Sequence, residues 1–132
     1  MTSMTMTTAT TRTYDETVAL VRRHLPDVGF GVLTEIDMQA TLKAKLGVDV
    51  EPQIILGACR PELAHAATQA DPSVAALLPC NVVVRAHGDE TIVETLDPRV
   101  MTTMAPGGAA LQDVAEDARR RLTELLRLVG NA

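Results

Sequence analysis

Apolar and polar positions along the chain switch several times between a period of about 3.6 and a period of two, and each switch marks a change of element. Thr13 with Glu16 three residues later makes a capping box, and Val18, Val21 and Leu25 then recur at helical spacing until Pro26 ends the run. GFGVLTEID alternates as a strand does. Asp37 can cap a short helix in which Met38, Leu42 and Leu46 share a stripe ahead of Gly47. EPQIILGACR has no helical stripe and reads as a second strand, ending where Pro61 suits the first turn of a helix. Ala64, Ala66, Ala67 and Ala70 let that helix approach a neighbour closely. DPSVAALLP reads as a turn and a short helical piece, and CNVVVRAHGDETIVETLD as a hairpin reversing at HGDE. PRVMTTMAPGG reads as a loop. Leu111, Val114, Ala118, Leu122, Leu125 and Val129 then form one stripe of a final helix, with Gly130 as its expected stop.

Alternating faces locate the candidate side chains. In CNVVVRAH, Cys80, Val82, Val84 and Ala86 share an apolar face, which turns Cys80 toward the helices as a small, inert hydrophobe. Asn81, Val83, Arg85 and His87 fall on the other face. In QIILGACR the same rule groups Ile54, Leu56 and Ala58 against Gln53, Ile55, Gly57 and Cys59, so the two cysteines face apart unless Gly57 marks a bulge. Cys59 adjoins Arg60 and precedes a helix start, and both features favour a thiolate, making Cys59 the candidate nucleophile. Leu33, Glu35, Ile55, Cys59, Val83, Arg85 and His87 together make the face opposite the helices mixed in character. Such a face fits a second copy of the chain across a two-fold axis, or a shallow ligand site anchored by Arg85 and Glu35.

The composition narrows the classes. A chain of 132 residues is one domain, read as a single α+β domain over 11–132 behind a disordered Thr-rich tail over 1–10 that can feed a first edge strand. A net charge of −5 and only two aromatic residues, Tyr14 and Phe30, argue against nucleic acid as a partner. No apolar run approaches the roughly 18 residues of a membrane span. Two cysteines and no secretory segment point to the cytoplasm and to free thiols. Arg119 to Arg121 follow Glu116 and Asp117 on the last helix and read as an internally paired face. His65 stands six residues after Cys59, a spacing that matches no compact zinc pattern, so neither a metal nor a cofactor is expected. His24 and His87 read as surface residues, and Asp37 is committed to capping beside Glu35. Phosphate-loop, G-x-S-x-G and HExxH motifs are absent.

GFGVLTEID, ILGACRPELAHAA, LLPCNVVV and ETLDP together resemble the domain of unknown function 302 family, from about Thr11 to the last helix. Two motifs carry the likeness: Cys59 to Pro61 entering ELAHAA, and Leu77 to Val84 around Pro79, Cys80 and Asn81. The resemblance implies a curved antiparallel sheet with helices on one face, similar to a TATA-binding-protein half (β-α-β4-α with extra helices) and often paired into dimers. It implies no established activity. Arg60 stands where the family usually carries Asn, a departure beside Cys59. The leading functional expectation is a cytoplasmic, dimeric, non-enzymatic module that binds an unidentified small molecule or acts as a sensor. Its candidate ligand-binding residues are Glu35, Cys59, Arg60, His65, Cys80, Asn81 and Arg85. The alternative is a thiol-dependent enzyme or redox protein acting through Cys59.

Overall fold

The β-branched and alternating stretches pair into one five-stranded antiparallel sheet, in the spatial order β1-β5-β4-β3-β2. The computed structural model describes residues 3–104 and 108–131. Its strands are β1 (Thr5–Thr10), β2 (Gly31–Asp37), β3 (Gln53–Cys59), β4 (Cys80–His87) and β5 (Glu90–Leu96). Its α-helices are α1 (Tyr14–His24), α2 (Met38–Leu46), α3 (Pro61–Ala70), α4 (Val100–Met104) and α5 (Gly108–Asn131), with short 3-10 helices at Pro26–Val28 and Pro72–Leu77. The architecture is α+β, and removing α2, α3 and α4 leaves the order β-α-β4-α.

Local signals account for most boundaries. The Thr13 hydroxyl accepts the Glu16 amide at 3.2 Å to start α1, and Asp37 accepts the Ala40 amide at 2.9 Å to start α2. Gly47 ends α2 at φ 69°, a left-handed conformation that costs glycine little. The main core lies between one sheet face and the helices: Leu56, Val82, Val84 and Val93 from the strands meet Val21 of α1 and Leu122, Leu125 and Val129 of α5. A smaller cluster joins Ala67 of α3, Val74, Met101 of α4 and Leu111 and Val114 of α5. Full burial of one such aliphatic side chain stabilises by about 1.5–3 kcal/mol. Among the described residues no helix is long and apolar enough to cross a membrane.

Four local expectations change. The Thr-rich opening takes the edge-strand form of its two readings: Thr5–Thr10 are β1, paired with β5 along its length, not disordered tail, while residues 1 and 2 lie outside the described residues. The expected loop after β5 contains α4, its 105–107 portion again lying outside them. Gly130 does not stop the last helix, which runs on to Asn131; a Cβ at Gly130 would stand 2.6 Å from the Thr8 hydroxyl of β1. Close approach of α5 to the edge strand explains the glycine. The sheet irregularity is also elsewhere. Strands β3 and β4 pair without a break through Gly57, whereas β2 skips register between Val32 and Thr34, leaving Leu33 as the extra residue.

That bulge reverses the faces of β2 beyond it. Thr34 pairs with Gly57 and Glu35 with Leu56, so Glu35 shares the side of the buried Leu56. At Gly57 a Cβ would meet the Thr34 hydroxyl at 2.1 Å and the Pro79 ring at 2.8 Å. The glycine therefore makes room for two side chains on the open face rather than bending its own strand.

Candidate functional site

Cys80 opens β4 and Ala58 lies directly opposite it in the β3–β4 register, so both point into the core, where they are 8% and 0% exposed. Cys59 is the last residue of β3, one position past that pair, and is half-buried. Alternation loses its hold where the strand ends and the chain turns into α3. Cys59 and Cys80, expected to face apart, border a single cavity of about 20 Å³, roughly the room one water needs. Phe30, Leu63 and Val114 form apolar walls, and Met101 and Arg60 complete the chemically distinctive part of the lining.

The two thiols are free. Burial pushes the Cys80 thiol up to about 11, with the nearby Cys59 charge adding to the shift. Cys59 is also pushed up, by burial first and by Glu62 second. The expectation that Arg60 and the start of α3 would favour a Cys59 thiolate is therefore not met. Arg60 is spent elsewhere: Nη1 lies 3.3 Å from Glu62, and the guanidinium crosses Gly29, where a Cβ would be 2.5 Å from that same nitrogen. The Arg121 guanidinium sits beside it, donating to the Val28 carbonyl at 3.1 Å. Arg60 Nε is buried without a hydrogen-bond partner.

The remaining expected site residues are dispersed. His65 is exposed on α3, with Nε2 3.4 Å from the Gln69 amide nitrogen, while Leu63, Ala64 and Ala67 of that helix face the cavity. Arg85 pairs with Glu94 on the open sheet face, and Glu94 accepts from the Thr5 hydroxyl at 2.7 Å. Hydrogen bonds from Thr5 and Arg85 hold the Glu94 carboxyl below the usual range despite the opposing effect of burial. Asn81 is exposed on the same face, beside a shallow hollow bordered by Pro79, Val83 and Glu94. Glu35, expected there as a second anchor with Arg85, pairs instead with Arg22 of α1, because the Leu33 bulge moved it to the helix side.

Sequence reasoning missed Met101, which carries no periodic signal in the short α4 and is 3% exposed against the cavity. It also missed the apolar stretch beside β2. All seven residues of β2 are exposed and α2 buries none of its residues. Six of the eight large apolar side chains exposed among the described residues fall between 32 and 50: Val32, Leu33, Ile36, Leu46, Val48 and Val50. Of the ion pairs expected four residues apart on the last helix, Asp117 with Arg121 forms; Arg120 turns to Asp117 rather than Glu116, and Arg119 reaches Asp97 at 3.5 Å.

A family model described as "Domain of unknown function DUF302" matches residues 6–129. The crystal structure of an uncharacterized conserved DUF302 protein from Bacillus stearothermophilus superposes with a TM-score of 0.88 at 27% sequence identity, covering 97% of this chain and 99% of that one. No curated protein matches.

Proposed function

The chain belongs to the DUF302 family, and from that membership and the geometry above we propose that it is a dimeric, non-enzymatic binding or sensory module. The observation that carries this reading is the concentration of exposed Val32, Leu33 and Ile36 in edge strand β2 and of Leu46, Val48 and Val50 in the segment that follows it. Exposed apolar side chains gathered in and beside an edge strand are the kind of surface that marks an interaction site. A second copy is the most economical occupant, because the same patch on both partners satisfies a two-fold operator. The charges around the patch are of both signs: Lys43 is 3.0 Å from Asp49, with Lys45 and Glu51 exposed nearby. Opposed copies would therefore meet without net repulsion.

Light scattering coupled to gel filtration tests the proposal. The expected result is a mass of two chains at micromolar concentration, reduced to one chain by Leu33→Lys combined with Ile36→Lys. A monomeric wild-type protein overturns it. Catalysis through Cys59 is the weaker alternative, since both thiols are pushed up and the adjoining cavity holds little more than a water. Turnover of a disulfide or an electrophile, lost in Cys59→Ser with the fold intact, would reverse that ranking.

A further inference from the structure

The cavity lies on the seam between two separately packed clusters. Phe30, Ala58 and Cys80 reach it from the main core, and Ala67, Met101 and Val114 reach it from the cluster beneath α3. Interiors close such gaps wherever side chains can interdigitate. Here the gap persists, and three sulfur-bearing side chains border it.

We infer that Cys59, Cys80 and Met101 form a site for a single soft, monovalent metal ion, of which Cu(I) is the type. The inference deepens the binding half of the proposal above by naming a ligand class, and it does not depend on the dimer half. It also goes beyond the sequence pattern, whose spacing points to no metal. Four features converge on it. A volume of about 20 Å³ suits one small ion and excludes an organic ligand. Two thiols and a thioether are the donor types that select Cu(I) over harder ions. Among the described residues no three His, Cys, Asp or Glu side chains converge to hold a metal, so zinc lacks the set it uses for tetrahedral coordination. Finally, Arg60 borders the same cavity with a buried Nε that has no acceptor. Glu62 already engages Nη1 of this guanidinium, and two thiolates around one monovalent cation, with a net charge of −1, would give Nε the acceptor it lacks.

The binding step balances without a redox partner. Each thiol gives up its proton, two sulfur–metal bonds form, and one M⁺ is exchanged for two H⁺, the bound unit ending at −1. Half-buried Cys59 provides the entry route and Cys80 the inner ligand.

The test is an anaerobic titration of the reduced, full-length protein with Cu(I) against a colorimetric Cu(I) chelator. One ion per chain is expected. Cys59→Ser or Cys80→Ser should weaken binding by about a hundredfold or more, and the volume-conserving Met101→Leu by about tenfold, with circular dichroism unchanged in the Met101 variant. Stoichiometry other than one, or affinity untouched by both Cys80→Ser and Met101→Leu, overturns the assignment and reduces the result to capture by an accessible thiol. A monomer that binds one ion defeats the dimer while leaving this site standing, and a dimer that binds none does the reverse.

Discussion

The sheet ends in two edge strands that the molecule treats in opposite ways. Strand β1 is Thr-rich and closed in: Thr8 meets Gly130 of α5, Met6 packs against the core, and Thr5 donates to Glu94. The Met4 carbonyl accepts the Asp97 amide at 2.8 Å, extending the pairing past the strand. Strand β2 is richer in large apolar residues and lies open, with Val32, Leu33 and Ile36 exposed and α2 leaving it uncovered. An exposed apolar edge is a liability for a protein that functions alone. The difference sets burial around β1 and α5, which holds the fold, against an open β2 edge, on which the proposed association would rest. The thiols repeat the contrast, Cys80 enclosed on central β4 and Cys59 half-exposed on β3 beside the open edge.

Truncation on the closed side should have the largest effect. Leu122 is fully buried between α5 and the sheet, and Leu122→Ala should cost about 2–5 kcal/mol in urea unfolding. Next comes the enclosed thiol. A thiol raised to about 11 in the folded state keeps its proton while the unfolded chain loses its own near 9. Its stabilising contribution is thus intact below about pH 9 and lost as pH climbs toward 11, up to about 2–3 kcal/mol. Cys80→Ala should flatten that part of the stability profile, and an unchanged alkaline slope would mean that the enclosure is looser than described. A smaller cost, about 1–3 kcal/mol, is expected for Gly130→Val, which drives a branched side chain into Thr8. Recovery in the double variant with Thr8→Ala would locate the effect in that contact. On the open side, Leu33→Lys with Ile36→Lys should shift the intrinsic stability of the chain by no more than about 0.5 kcal/mol while abolishing association. A loss as large as that of Leu122→Ala would erase the distinction between the edges.

Much of the fold is legible in local pattern. The Thr13 and Asp37 caps, the left-handed Gly47, the β4–β5 hairpin and the inward face of Cys80 follow from residues only a few positions apart, and each is where the pattern puts it. The site is less legible. Placing Glu35 on the wrong side came from counting alternation through Leu33, a position at which nothing local reveals a bulge. The tail reading of β1 had a similar origin, since threonine is both a polar residue and a good strand former, and pairing with β5 settles which property matters.

Caps, turns and periodic stripes act over one or two turns of chain, so helices α1, α2, α3 and α5, strands β2 to β5 and the inward face of β4 were already written in the order of residues. Where distant segments touch is another matter. The meeting of Thr8 with Gly130, the Arg60 guanidinium over Gly29, and the gathering of Cys59, Cys80 and Met101 around one gap each join elements far apart along the chain. Such contacts depend on how two packed clusters fit against each other, and that fit is a property of whole surfaces with no counterpart in local pattern.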